Sequence, residues 1–495
     1  MIAKGILNII SVILLQGTSF IIGIWAAKLM SKGEFGSLQF LRTILSYSAF
    51  TTLGVTQAVL FELPIALGKG DAGEVQAIQR LFNSLLMASG LIALLLSGVL
   101  SLLHVPLNGI SLTWEWLWFG IVLSISGWTG YSQILFLSYQ QFGKLGTFRL
   151  IYPVCFALTT VVLLPLYKIN GFLASMAIGY GVLAGYGLYA HRATLGIFWD
   201  TKRFWHYVRI GLPIRLNTFV WLLMTTIALW FVSLFIGSES AGVYGFAMMV
   251  SAAYGLIPGI ISEMGMPRIS TLFGRSYLDP KPLANPAIHS LRAFAGLNVL
   301  PAILALMAFD IIITYWVPKY RDSELIMLFL VIGYYVNSVC ALAGNILILL
   351  RRQRVMLMAS IVILMTVILA AYCAATFLGT AAAVGAATML GLCLNGVTTL
   401  AFIVRVIRIE KQTLFLTRLG VEVLFGICAI VASWAVAQHF SNWQKIIMFV
   451  FSGVCFSGFH TFAGIKEIRL FWRITQVVTP VATAIQMLEK EEPAQ

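Results

Sequence analysis

The chain has 495 residues, 60% of them apolar and only 10% charged, whereas soluble domains carry about 25% charged residues. Too few polar side chains remain to cover a surface facing water, so a large soluble domain is excluded. The 32 Lys and Arg against 18 Asp and Glu give a net charge of +14, which needs no nucleic-acid partner, because basic residues gather in the cytoplasmic loops of membrane proteins.

Apolar runs between charged or Gly/Pro breaks predict fourteen spanning helices, at 6–30, 37–63, 81–103, 116–138, 149–167, 171–190, 210–236, 243–263, 293–316, 325–350, 355–377, 380–404, 419–438 and 446–464. The first run is too long for the core of a cleaved signal peptide and is read as a retained span. An even count puts both termini on one side. With Met1 in the cytoplasm, only Lys28, Lys32, Lys168, Lys319, Arg321 and Lys445 fall outside, Arg42 and Arg215 fall within spans, and the other basic residues lie inside. The six cysteines (155, 340, 373, 393, 428 and 455) sit in apolar runs without CxxC or His spacing. Neither a disulfide framework nor a metal site is expected, and no cofactor.

A repeat emerges when the first twelve spans are divided after the sixth. Gly36-Ser-Leu-Gln-Phe40 and Gly242-Val-Tyr-Gly-Phe246 each open an outside-to-inside helix. Those helices end at Glu62-Leu-Pro64 and Glu263-Met-Gly-Met-Pro267, and the outer turns Asn170-Gly171 and Leu378-Gly379 follow at a similar offset. Copies with an even number of spans share one topology, related by an axis along the membrane normal. The expected organisation is all-α and polytopic: an N-lobe at 1–190, a cytoplasmic linker at 191–209, a C-lobe at 210–404, two extra helices within 405–464, and a basic amphipathic tail at 465–495 lying on the inner leaflet.

The stretch Ala26-Ala27-Lys28-Leu-Met-Ser-Lys32-Gly-Glu34-Phe35-Gly36 resembles the segment between the first two spans of polysaccharide-type flippases. These belong to the multidrug/oligosaccharidyl-lipid/polysaccharide (MOP) superfamily. Leu53-Gly54-Val-Thr-Gln-Ala58, Gly143-Lys144 and Gly242-Val-Tyr-Gly add short matches, so the resemblance extends over the whole chain. It implies an inner-membrane protein with two rocking lobes and no covalent chemistry. Such a protein moves an undecaprenyl-diphosphate-linked oligosaccharide from the cytoplasmic to the outer leaflet, for cell-surface polysaccharide synthesis. Implied partners are the lipid-linked oligosaccharide, membrane lipids and polysaccharide polymerase machinery.

Such transport needs a polar cavity for sugars, cations for the diphosphate and an apolar opening for the lipid tail. Ser11, Gln16, Thr18 and Ser19 in the first span, and Asn217, Thr218, Thr225 and Thr226 in the seventh, offer hydrogen bonds to sugars or, equally, contacts between helices. A charge inside a span is the sharper signal, because it costs roughly 2.5–3.5 kcal/mol at the bilayer centre unless water or a partner attends it. Arg42, roughly 9 Å into the second span, either reaches a cavity or snorkels outward. Arg215, two residues after Pro213, is a phosphate clamp or an interfacial anchor. Lys28 stands where the resembling family often has arginine, so bidentate phosphate recognition is not expected of it. Asp310 binds a proton or sodium as coupling ion, pairs with a base, or reaches outer water. Glu62 and Glu263, at equivalent inner ends, flank Arg215 in a gate or remain separate interfacial charges.

Two other transport readings stay open: a cation- or proton-coupled multidrug antiporter of the same superfamily, and a flippase for peptidoglycan-precursor lipid. The antiporter needs acidic groups in its cavity, and residues 6 to 30 hold none. An enzyme is disfavoured, since the six scattered histidines show no nucleophile–base spacing.

Overall fold

The computed structural model describes residues 2–47, 50–68, 71–104, 106–107, 110–111, 114–139, 141–192, 196–275, 283–350, 352–407, 412–438, 451, 462 and 464–471. The described chain is helical apart from one antiparallel pair of two-residue strands, Pro106–Leu107 and Ile110–Ser111. Backbone groups in hydrocarbon must be satisfied within their own segment, which leaves helices as the solution for apolar runs of this length. Nine helices among the described residues are long and apolar enough to cross a membrane. On one of them, Leu91, Ile92, Leu95 and Leu96 are 57–61% exposed, a surface that only lipid accommodates. The chain is a multi-pass membrane protein.

Two compact units divide the chain. The first contains residues 1–249, 316–323 and 368–384. Its helices are α1 (Ile2–Leu29), α2 (Lys32–Tyr47), α3 (Val55–Gly68), α4 (Ala72–Leu102), α5 (Trp114–Ser138), α6 (Phe142–Ala190), α7 (Thr201–Phe231) and the start of α8 (Ser238–Arg275). Helix α5 packs on α4 and α6, α1 lies along α6, and α3 packs on α7. Side-chain caps set the starts of several helices. Asp71 accepts from the Glu74 amide at α4, and Asp200 accepts from the Lys202 and Arg203 amides at α7. At α2, Ser31 Oγ accepts from the Glu34 amide at 3.1 Å while Glu34 Oε2 accepts from the Ser31 amide at 2.8 Å. This is a reciprocal capping box, and it accounts for the glutamate of the resembling stretch.

The expected second span is two helices. Leu53 and Gly54 both have positive φ, 48° and 82°, a region that costs any residue but glycine. Gly54 also meets Gly211 of α7 so closely that a Cβ added to it would lie 2.5–2.6 Å from the Gly211 backbone. The break therefore brings α3 against α7. Helix α6 covers two expected spans, and its backbone turns at Lys168 (φ 46°), next to the expected outer turn at Asn170-Gly171. The two glycines that open the sequence repeat also touch. A Cβ on Gly36 would meet the Ser238 carbonyl and lie 2.7 Å from the Gly242 amide nitrogen, and a Cβ on Gly242 would meet the Lys32 carbonyl. With Gly36 and Gly242 as equivalent positions, 206 residues apart, the contact is reciprocal: 32 meets 242 and 36 meets 238.

The second unit contains residues 250–315, 324–367 and 385–495. It holds the rest of α8, then α9 (Ala284–Leu297), α10 (Val299–Tyr315), α11 (Glu324–Val339), α12 (Ala341–Leu349), most of α13 (Gln353–Cys373), most of α14 (Ala381–Ile407), α15 (Gln412–Gln438) and a helical segment at 464–471. Helix α15 packs on α9 and α10. Arg292 of α9 donates to Glu422 of α15 at 3.0 and 3.1 Å and pairs with Glu467 at 2.8 Å; His289 contacts the other Glu467 oxygen. These contacts tie the segment at 464–471 to α9. Nearly all of the expected fourteenth span and most of the tail fall outside the described residues.

Candidate functional site

Within the first unit, α1, α2, α3, α4, α5, α6 and α7 enclose a cavity of about 550 Å³. Its wall comes from the middle of the long helices, Leu86 to Ala93 of α4 and Leu123 to Gln133 of α5, so it lies at mid-span depth. An apolar cluster that includes Val59, Leu63, Phe82, Tyr131, Leu135 and Tyr207 adjoins it and shares Leu86 with its wall. That cluster is built from α3, the N-terminal parts of α4 and α7 and the C-terminal part of α5.

The wall carries Arg42 from α2 and Arg215 from α7 and, among the described residues, no carboxylate. Gln16 and Ser19 of α1 line it as well, as do Ser126, Thr129 and Gln133 of α5 and Tyr152 and Tyr180 of α6. The Arg42 guanidinium lies over the Phe172 ring, 5.8 Å from its centroid, an attraction to the negative face of the ring. Phe172 packs edge-on against Phe156, which stacks on Tyr152, whose ring centroid is 4.4 Å from that of Tyr180. Two of these rings, Tyr152 and Tyr180, line the cavity, and the run continues behind its wall to the Arg42 guanidinium.

Five hydroxyls of the wall share an orientation, while Thr52 and Thr56 bond each other at 2.7 Å. Ser46 donates to the Thr43 carbonyl, Ser89 to Leu86, Ser126 to Leu123 and Thr129 to Ser126, all at 2.6–3.1 Å, while Ser124 donates to Gly90 or Gly120. A hydroxyl has one proton to give and two lone pairs. The backbone takes the protons.

The structure brings two of the expected site residues, Arg42 and Arg215, to this one cavity, and the outward-snorkelling alternative for Arg42 does not apply here. Lys28 lies elsewhere, exposed at the C-terminal end of α1, where its carbonyl accepts a hydrogen bond from Lys319 at 3.2 Å. Glu62 is half-buried on α3 and is not part of the cavity wall. Glu263 belongs to α8, but its side chain lies outside the described residues. Asp310 is buried in α10 of the second unit, 8% exposed, which leaves little of the reading in which it reaches outer water. Of the expected sugar contacts, Gln16 and Ser19 line the cavity. The side chain of Ser11 lies outside the described residues. The hydroxyls of the seventh span serve the helix instead: Thr218 and Thr225 donate to carbonyls of their own turn, and Thr226 bonds the Tyr47 hydroxyl at 2.6 Å.

Compared with solved structures, the chain matches lipid II flippase MurJ in an inward closed conformation, with a TM-score of 0.66 and 12% identity over 96% of this chain and 99% of that one. It also matches an inward-facing multidrug resistance MATE transporter of the MOP superfamily, with a TM-score of 0.55 and 13% identity over 79% and 94%. The fold is shared with both of these solved structures. No family profile and no curated protein matches the sequence, so the likeness is one of fold. The structures it resembles are transporters and flippases rather than enzymes.

The largest group that sequence reading missed is the polar row of α5, Ser126, Thr129, Gly130 and Gln133, at helical three- and four-residue spacing. A signal for it existed, because α5 is the least apolar of the nine candidate spans. Tyr152 and Tyr180 carried no such signal, since a tyrosine in an apolar run is ordinary core.

Proposed function

We propose that this protein is an alternating-access flippase that moves a glycan carried on a lipid diphosphate from the cytoplasmic to the outer leaflet of the bacterial inner membrane, with undecaprenyl-diphosphate-linked oligosaccharide as the substrate for cell-surface polysaccharide synthesis. The observation that carries this reading is the mid-span cavity with two guanidiniums and, among the described residues, no carboxylate in its wall. A diphosphate brings negative charge to a place where lipid cannot solvate it, and guanidinium offers two parallel donors that match phosphate oxygens. Gln16, Gln133 and the hydroxyls suit a sugar, and the aromatic run on α6 offers it a flat face. The reciprocal contact of Gly36 and Gly242 supports two six-helix lobes of one topology within a fourteen-span chain. In this reading Arg42 and Arg215 hold the diphosphate, Lys28 meets it at the outer exit, Asp310 carries the coupling ion, and Glu62 and Glu263 gate the inner side with both termini cytoplasmic.

A second reading, a flippase for peptidoglycan-precursor lipid, uses the same chemistry and is favoured by the likeness to MurJ over nearly the whole of both chains. The multidrug antiporter is disfavoured because a cation-exporting cavity needs an acidic wall. Purified protein in vesicles should translocate a fluorescently labelled undecaprenyl-diphosphate oligosaccharide. Translocation of lipid II alone moves the assignment to the second reading, and extrusion of a cationic dye with neither lipid moved overturns both.

A further inference from the structure

A second cavity lies in the other unit and has no part in the function proposed above. It measures about 330 Å³ and is formed where α12 ends, α13 begins and α14 ends. Leu347, Met356 and Phe402 make its apolar wall, and Arg352 and Arg405 bring two guanidiniums to it. The turns that supply them are strongly basic. Arg351, Arg352 and Arg354 precede or open α13, and Arg405, Arg408 and Lys411 end or follow α14, against the single acid Glu410. Among the described residues neither Arg352 nor Arg405 is ion-paired.

The rest of α13 says what kind of anion fits. Val355, Met358, Val362 and Met365 are 43%, 66%, 66% and 59% exposed. Their alternating spacing of three and four puts them in one row along the helix, and the row starts at the cavity, since Val355 also lines it. Leu369 and Tyr372, 64% and 44% exposed, continue it at the same spacing, and its first ten residues, about 15 Å, cover half of the roughly 30 Å hydrocarbon core. On α14, Val397 and Ala401 continue an exposed line down to Arg405. Both surfaces are thus apolar and end in a cation at the cavity. A free phosphate ion would use the arginines alone, whereas a lipid phosphate also brings an acyl chain to the row.

We propose that this cavity is a binding site for the headgroup of an anionic phospholipid, with Arg352 and Arg405 on the phosphate and an acyl chain laid along the Val355–Met365 row. Basic pockets between spanning helices are well suited to lipid phosphates, and the guanidinium pair gives the site a charge preference that simple solvation by bulk lipid lacks. The site is separate from the arginine cavity of the first unit.

The test uses the full chain in detergent, titrated with phosphatidylglycerol or phosphatidylcholine and read by native mass spectrometry. The expected result is that wild type retains phosphatidylglycerol about tenfold more tightly than phosphatidylcholine. Arg352→Ala/Arg405→Ala should lose one tightly held phosphatidylglycerol, and Val362→Ser/Met365→Ser should weaken retention while leaving the preference over phosphatidylcholine. Arg352→Lys/Arg405→Lys keeps the charge and should retain more lipid than the alanine pair, which also decides the matter if the alanine pair misfolds. Equal retention of the two lipids, or a lysine pair and an alanine pair both indistinguishable from wild type, overturns the proposal. Displacement of phosphatidylglycerol by millimolar inorganic phosphate also overturns it, in favour of a free-anion site.

Discussion

Charge is handled in opposite ways at two places, the cavity of the first unit and the α9–α15 cluster of the second. In the first, Arg42 and Arg215 stand at a mid-span cavity whose wall has no carboxylate among the described residues. In the second, Arg292 is held between Glu422 and Glu467, and His289 contacts Glu467 as well, so each charge has its counterpart inside the protein. A cavity lined by two guanidiniums has charge to offer to something brought in. A matched set fastens helices and asks for nothing more. The difference is between a charge kept for a ligand and a charge spent on the fold, and each side of it is open to experiment.

The largest effect is expected at the cavity. Arg42→Glu removes a charge-assisted contact worth about 1.5–3 kcal/mol and adds repulsion, so flipping in reconstituted vesicles should fall about a hundredfold or more, with the unfolding midpoint nearly unchanged. Arg42→Lys should recover part of the rate. A reversal that unfolds the protein without a transport defect in the folded fraction would place Arg42 with the structural charges.

The next effect probes the first unit's frame. Gly211→Val drives a side chain into the Gly54 carbonyl where α3 meets α7, and overpacking of this kind costs about 1–3 kcal/mol. A lowered thermal midpoint in detergent is the expected outcome. Glu467→Gln should act on the second unit to a similar or smaller degree, because it strips Arg292 of one partner; a loss of about 1–2 kcal/mol with transport preserved in the folded fraction would mark this cluster as a fastening. A transport loss without a stability loss would break the contrast drawn here.

Tyr152→Phe keeps the aromatic face and removes one hydroxyl, and is expected to slow flipping by about fivefold, the equivalent of roughly 1 kcal/mol. The smallest effect concerns the outer turn. Burial pushes the Glu34 carboxyl up, but the hydrogen bond from Lys168, the Ser31 bonds and the Lys168 charge together outweigh it and hold it below the usual carboxylate range. A group held low when folded adds stability above its unfolded pKa, and that contribution is lost as the pH falls through the folded value. Lys168 is 57% exposed, so the pair is worth about 0.2–1 kcal/mol. Lys168→Ala should therefore lower the midpoint slightly at neutral pH, with the difference vanishing in acid below the carboxylate range.

Much of the architecture was legible because lipid imposes one rule on every residue of a span. Length and apolarity locate the helices, and Arg42 and Arg215 stood out since a charge in such a run demands a reason. Pairing was harder to see. Nothing in a linear chain says that Gly54 will sit against Gly211, although Leu53-Gly54 looked like a motif; the glycine is needed for positive φ and for close approach, and both are properties of the folded chain. Serine and threonine are ambiguous for a physical reason, as their hydroxyls bond a carbonyl of the same helix whether they face a cavity or a neighbour. That is why the row on α5 was overlooked while Thr225 and Thr226 looked equally promising. Glu62 and Glu263 are expected at the inner ends of their spans, but each lies inside a longer helical run, Glu62 in α3 and Glu263 in α8, and position along a helix does not fix the face a side chain takes.

The orientation of the cavity hydroxyls bears on which headgroups are accepted. Because Ser46, Ser89, Ser126 and Thr129 give their protons to backbone carbonyls, they turn lone pairs toward the interior, and donation is left to the arginines, the glutamine amides, the phenols and the hydroxyls outside this set, such as the Thr52–Thr56 pair. A glycan rich in free hydroxyls meets acceptors for its own protons, whereas one capped by O-acetyl or O-methyl groups arrives with acceptors alone and is expected to be discriminated against. The direction of those short bonds, more than the size of the chamber, would then set the tolerance for decorated sugars.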